Sequence, residues 1–306
     1  MSTRTLRSRI IATGAVVATG SLILTGCGSS GSSTASSSSS AIKAPTAVAS
    51  LASQVPADIK ASGKLVVAAD ASYAPNEFKD ANGKVVGMDA DMATAIAQTL
   101  GLTVDVQNAD FTSIIPGIAA NKYQLGMSSF TVTKERETTV DMVSYFSAGT
   151  SAAVKSGNPD KIDPTDLCGK KVAVQTGTTQ ADEVTSTINP ACTKAGKPTV
   201  PNDGDKFTLQ TDVTQALVAG RDQVMLADSP VIDYAIQQTG GQLQKVGATT
   251  DTAPYGVVVA KGSPLTQAVQ GAIQSLMANG TYKAILTKWG VQAGSVDSSV
   301  INGATS

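Results

Sequence analysis

Four residues within a nine-residue span, Ser128, Ser129, Thr131 and Arg136, present three hydroxyls and one guanidinium. Hydroxyls donate single hydrogen bonds and a guanidinium donates two in parallel, so the cluster is equipped to hold a carboxylate. A second donor set is the glycine turn Thr176-Gly177-Thr178-Thr179-Gln180, in which Thr178 and Thr179 are the expected donors. Such a turn between strand and helix leaves N–H groups to face an anion, but it lacks the lysine and spacing of a phosphate loop. Upstream, Asp70 and Glu77 are candidate acceptors for an ammonium or guanidinium, with Tyr73 and Phe111 as aromatic walls. Arg136 falls in the first turn of an expected helix, where a cation opposes the macrodipole. A bound carboxylate supplies a reason for that placement, with Thr133 as the N-cap. The competing roles are ordinary: capping for Thr178, Thr179 and Asp228, packing for Tyr73 and Phe111, and a solvated charge for Glu77.

The rest of the composition removes other chemistries. The 306 residues contain no histidine, which excludes Ser-His-Asp and Cys-His catalysis and every histidine-based metal site. Cys27, Cys168 and Cys192 are too few and too scattered for an all-cysteine zinc site. Charged residues are 15% of the chain and the net charge is −1, which gives no electrostatic basis for nucleic-acid binding. No cofactor is expected.

These side chains need elements to carry them. Leu65–Ala69 reads as a buried strand ending at Asp70. Met88, Met92, Ile96 and Leu100 recur at helical spacing, with Gly101 where the helix should stop. Leu102, Val104 and Val106 alternate as a strand ended by Phe111, Ile114 to Ala119 form a helix, and Gln124–Met127 is a strand running into the serine cluster. Val172–Gln175 and Gln223–Ala227 are further buried strands, the latter followed by Asp228-Ser229-Pro230, a helix start. In open parallel sheets, ligands bind beyond the carboxyl ends of strands, which is where these candidates fall. Ser147–Thr150 and Ala253-Pro254-Tyr255-Gly256 suit hinge strands.

The segments GMDADMATAIA, DFTSIIPGIAANKYQLGMSSFTVTKER, GKKVAVQTGTTQ, LVAGRDQVMLADSP and GTYKAILTKWG, in this order from about Lys64 to Val291, resemble the bacterial family 3 extracellular solute-binding proteins. These are receptors of polar amino-acid ABC importers. The resemblance implies an α/β, two-lobed, type II periplasmic-binding-protein-like clamshell with two hinge strands and no enzymatic step. It also implies an ABC permease as partner, a monomer, Asp70 and Tyr73 at the ligand, and Asp228 accepting from an α-ammonium. Asp70, Glu77 and Asp228 against Arg136 leave an acid excess, which favours a neutral polar or cationic amino acid, glutamine- or arginine-like. Some dehydratases of prephenate-like acids resemble the same fold, and in them Glu77 or Asp228 would serve as the acid. A ligand-sensing subunit for a membrane receptor is a third reading.

Arg4, Arg7 and Arg9 followed by an apolar run to Leu24 read as a signal peptide, and Leu24-Thr25-Gly26-Cys27 resembles a lipobox, implying palmitate-type lipidation of Cys27 and anchorage on the outer face of the cell membrane. The expected organisation is a leader at 1–27, a serine-rich tether at 28–57, lobe 1 at 58–147 and 254–293, lobe 2 at 148–253 and a flexible tail at 294–306. In an exported protein Cys168 and Cys192, bracketing one strand and helix, are free to form a disulfide, the favoured reading over two buried thiols.

Overall fold

The computed structural model describes residues 42–304. The expected leader, Cys27 and the serine run lie outside the described residues. Two short helices come first, α1 (Ala49–Ala52) and α2 (Ala57–Ser62). α1 and Val55 fall within the expected tether and correct its last part, whereas α2 lies almost wholly in the expected lobe 1. Val55 and Ile59 are buried, Leu51 packs on the main core, and the Val48 N–H donates to the Thr99 carbonyl at 2.9 Å. These three apolar side chains gain burial by joining the first core.

The first half contains β1 (Lys64–Ala69), β2 (Ser72–Tyr73), β3 (Glu77–Lys79), β4 (Val85–Val86), α3 (Met88–Thr99), β5 (Thr103–Asn108), α4 (Phe111–Ala119), β6 (Leu125–Gly126) and α5 (Lys134–Thr139). β1 lies parallel between β5 and β6, and β2-β3-β4 form a small antiparallel sheet. The helical spacing read for α3 holds: Met88, Met92 and Ile96 are fully buried, and Gly101, at φ 74°, sits just past the Leu100 cap. Gly87 precedes it at φ 132°, and a Cβ there would stand 2.1 Å from the Asn76 carbonyl oxygen. Only glycine allows the start of α3 to lie so close to β3. Phe111 begins α4 rather than ending a strand, because its N–H finds an acceptor, the Asp70 carboxylate, at 3.2 Å.

The chain then crosses in β7 (Val140–Lys155) to β8 (Val172–Gln175), α6 (Thr179–Glu183), α7 (Asn189–Lys194), β9 (Asp205–Phe207), α8 (Gln210–Ala219), β10 (Val224–Asp228) and α9 (Ser229–Gln238). It returns in β11 (Leu243–Ala260) and finishes with α10 (Leu265–Ala278) and α11 (Thr281–Trp289). One eight-stranded sheet results, in the order β5-β1-β6-β11-β7-β10-β8-β9. At roughly 3.3 Å per residue β7 and β11 are each long enough to serve both halves. They pair antiparallel from Val140 with Ala260 to Lys155 with Leu243, and their register slips three times between Val246 and Gly256. Regular pairing is therefore interrupted where the halves join. Each half keeps its own core: Leu65, Ile96, Val257 and Ile273 in the first, Val172, Val174, Leu217 and Ile232 in the second. Cys168 and Cys192 are joined by a disulfide, Cα to Cα 5.5 Å, tying the approach to β8 to α7.

The expected flexible tail is also corrected. Ser299 is buried, the Asn302 N–H donates to the Met142 carbonyl at 2.8 Å, and the Asn302 side chain accepts from the Met142 N–H and donates to Asp141. The segment works as an added edge on β7, using backbone groups that polar composition alone does not reveal. Asn302→Ala removes two of these bonds from partly buried partners, at about 1–3 kcal/mol. The expected outcome is a melting temperature several degrees lower by calorimetry, and an unchanged one would show that the tail does not hold β7.

Candidate ligand-binding cleft

Strands β1, β6, β8 and β10 end facing one another across the junction of the halves. A pocket there is lined by Asp70, Tyr73, Phe111, Ser128, Ser129, Thr131, Arg136, Gln175, Thr178, Thr179, Gln180 and Asp228. Of the candidates taken from the sequence, Glu77 alone is absent from this wall.

Arg136 sits in the first turn of α5, whose N-cap Thr133 accepts from the Arg136 N–H at 3.2 Å. Its guanidinium donates to the Thr131 carbonyl at 2.8 Å and, across the cleft, to the Gly177 carbonyl at 3.1 Å. Phe111 and Phe130 stack with centroids 4.5 Å apart, and the guanidinium carbon lies 5.7 and 5.4 Å from their centroids. Among the described residues no carboxylate lies within ion-pair distance of Arg136, and burial lowers its pKa. Carbonyls and ring faces attract a cation but do not neutralise it. A positive charge is thus presented to the cleft with the planar donor fork that a carboxylate matches.

The acceptors are arranged differently. Asp228 occupies the N-cap position of α9 but makes no capping bond. Its oxygens accept from the Tyr73 hydroxyl at 2.9 Å, from the opposite half, and from the Gln180 amide at 2.9 Å. The Tyr73 ring is buried in the core of the second half. Asp70 accepts from the Ser72 hydroxyl at 2.7 Å and, across the cleft, from the Gln175 amide at 2.9 Å. The pKa values of Asp70 and Asp228 are both raised, chiefly by burial. Each is oriented by neutral donors, and among the described residues neither has a lysine or arginine within ion-pair distance. Beside the pocket the cleft widens into a space of about 800 Å³ with Glu135, Asp182, Glu183 and Asp251 on its wall, where Arg136 is the sole cation among the described residues.

Several expected roles change. Glu77 is fully buried behind the wall, accepting from Ser128 Oγ at 2.9 Å and lying 3.3 Å from Ser129 Oγ, because β3 turns it away from the cleft towards Asp89. It is not an acceptor for a ligand. The Ser128 hydroxyl is spent on Glu77 and accepts from the Asp70 N–H at 2.9 Å. Ser129, held at φ 52°, has its N–H on Asp89 and its hydroxyl facing the same buried acids. Thr178 caps α6, donating to the Gln175 carbonyl and accepting from the Ala181 N–H, so its hydroxyl is not a free donor. Thr131 and Thr179 face the pocket with no side-chain bond of their own among those formed by the described residues. Gln175, Gln180 and Phe130 were missed. The glutamines flank the threonines of the turn and could have been read as amide donors; nothing in one sequence signals the Phe130 stack.

Residues 65–292 match the model of the bacterial extracellular solute-binding proteins, family 3. The chain belongs to this family. It is 31% identical to the arginine-binding protein ArgT of Corynebacterium glutamicum over 258 residues, 84% of each chain. An ancestral arginine-binding protein solved with arginine superposes with a TM-score of 0.67 at 36% identity, covering 74% of this chain and 98% of the other. An ancestral arginine-binding protein bound to glutamine gives 0.67 at 35% identity, covering 75% and 98%. The fold is the type II, two-lobed α/β fold of this family's solved members.

The acids of this family member's cleft set a pH dependence. Burial raises the pKa values of Asp70, Asp228 and Glu77, and that of Asp89 to about 6. A raised carboxyl binds its proton more tightly folded than unfolded, so the stability it contributes is complete below its ordinary pKa and is lost as pH rises through the folded value. Asp141, Asp163 and Asp166, whose values are lowered, act only below roughly pH 4. Denaturant unfolding without added amino acid should show stability falling from pH 5 to pH 8. A rise over that interval would contradict the burial described here.

Proposed function

We propose that this chain is the substrate-binding protein of an ABC importer and that its ligand is a basic amino acid, arginine foremost. The observation that carries the reading is the guanidinium of Arg136, facing the cleft without a carboxylate of its own. The ligand's α-carboxylate pairs with Arg136, assisted by the Thr131 and Thr179 hydroxyls. Its α-ammonium goes to Asp228, and its side-chain cation to Asp70, with Tyr73 and Phe111 as walls. Charge balance supports this choice. Asp70 and Asp228 against Arg136 leave one negative charge, which an amino acid of net charge +1 cancels in a site where uncompensated charge is costly. The acidic mouth raises the local concentration of such a cation. The named relatives bind arginine, and an ancestral one also accepts glutamine.

The lobes divide near residues 148 and 254, where the β7–β11 ladder is irregular, and the hinge lies there. A ligand held by Arg136 on one side and Asp228 on the other stabilises the closed state by its differential affinity, and the permease reads that shape. No bond is made or broken, and the protein acts as a monomer. A lipidated Cys27 holds it at the outer face of the cell membrane, since acyl chains contribute about 0.8 kcal/mol per buried CH2.

Calorimetric titration with the twenty amino acids should show arginine binding tightest, and Arg136→Ala should weaken it by about 2–5 kcal/mol. Tightest binding of aspartate or glutamate, or an unaffected variant, would overturn the assignment. Cys27→Ser should move the protein from the membrane fraction to the medium; an unchanged distribution would remove the anchor.

A further inference from the structure

Behind the serine wall lies a pair of carboxyls that the binding scheme does not use. Glu77 opens β3, Asp89 stands in the first turn of α3, and both are fully buried. Their donors differ in kind. Asp89 accepts from the Ser129 N–H at 2.8 Å and from the Tyr145 hydroxyl at 2.7 Å. An amide N–H can only donate, so Asp89 is required as an acceptor. Among the described residues no N–H donates to the Glu77 carboxyl. Its neighbours are the Ser128 and Ser129 hydroxyls, which adapt to either form, and Asp89 itself.

No cation offsets the pair. Among the described residues neither acid has a lysine or arginine within ion-pair distance, and the chain has no histidine. The titratable groups facing them are Asp70 at the end of β1, Tyr145 on β7 and each other, all acidic or neutral. Two adjoining carboxylates in such surroundings cannot both be ionised, and the proton stays on the member without an obligate donor. Burial, then Asp89, pushes Glu77 well above the ordinary carboxyl range, in keeping with this order.

We infer that Glu77 is a neutral carboxylic acid at physiological pH, donating its proton to the Asp89 carboxylate, and that in this form it positions the cleft's anion-binding wall. The free oxygen of Glu77 accepts from Ser128, and Ser128 in turn accepts from the Asp70 N–H at 2.9 Å. That line joins the start of the segment after β1, which carries Asp70 and runs into Tyr73 of β2, to the turn after β6, which carries Thr131 and leads to Arg136. The shared proton also holds the buried pair at one negative charge where a ligand carboxylate approaches, instead of two. Glu77 is thus a positioning residue, and this part rests on the proposed amino-acid ligand.

The two acids should then respond in opposite ways to the same change. In Glu77→Gln the amide donates to Asp89 and accepts from Ser128, so arginine affinity and melting temperature at pH 7 should stay within about threefold and a few degrees of the wild type. Asp89→Asn sets an amide against the Ser129 N–H and Tyr145, and should weaken binding about tenfold or more or lower the melting temperature markedly. Glu77→Ala should resemble Asp89→Asn. Infrared spectra of the wild-type protein at pH 7 should contain the carbonyl stretch of a buried protonated carboxyl, absent from Glu77→Gln. That measurement needs no ligand, so it stands if arginine does not bind, whereas failure of arginine binding in the wild type counts against the ligand assignment alone. Absence of the band from the wild type, or equal damage from Glu77→Gln and Asp89→Asn, would overturn the inference.

Discussion

The architecture of the cleft depends on a positive charge that the chain positions without neutralising. Arg136 is held by two carbonyl oxygens, one from each half, and lies against two aromatic rings. These contacts fix where the guanidinium points while leaving its charge unmet. A carboxylate at the same place would make a stable internal ion pair and remove the reason for a ligand to enter. In the proposed function this partly desolvated cation supplies both affinity and orientation.

Across the cleft the same logic appears with the opposite sign. Asp70 and Asp228 are oriented by Gln175, Gln180, Tyr73 and Ser72, all neutral donors that specify geometry but supply no counter-charge. Two of those bonds, Tyr73 to Asp228 and Gln175 to Asp70, bridge the halves. The groups proposed to meet a ligand are thus the groups that hold the lobes together. In the proposed function, closure and recognition draw on one set of contacts, and the irregular stretch of the β7–β11 ladder is where the halves would move.

Much of the frame was legible. α3 was readable because Met88, Met92 and Ile96 repeat at helical spacing and Gly101 stops them. β1 and β8 were readable because short apolar runs end at polar loops. Arg136 stood out because a cation in a first helical turn is unfavourable. What misled were side chains whose partners are distant in sequence. Glu77 reads as a ligand acceptor or else a solvated charge, yet its neighbours Asp89, Ser128 and Ser129 come from α3 and the turn after β6. The tail after Val291 is polar, but its Asn302 meets backbone groups of Met142, far back in the chain. The end of the expected tether misled in the same way, since Leu51 and Val55 pack on the first core.

The sequence by itself determined the elements, the family and the inventory of charges, because periodicity, glycine stops and residue types are local properties of the chain. Only the tertiary structure decided which hydroxyls and acids face the cleft and which turn inward. Hydrogen-bond allocation depends on which donor lies within about 3 Å of which acceptor, and in Ser128, Glu77 and Asp70 that nearness is created by the folding of strands separated by tens of residues.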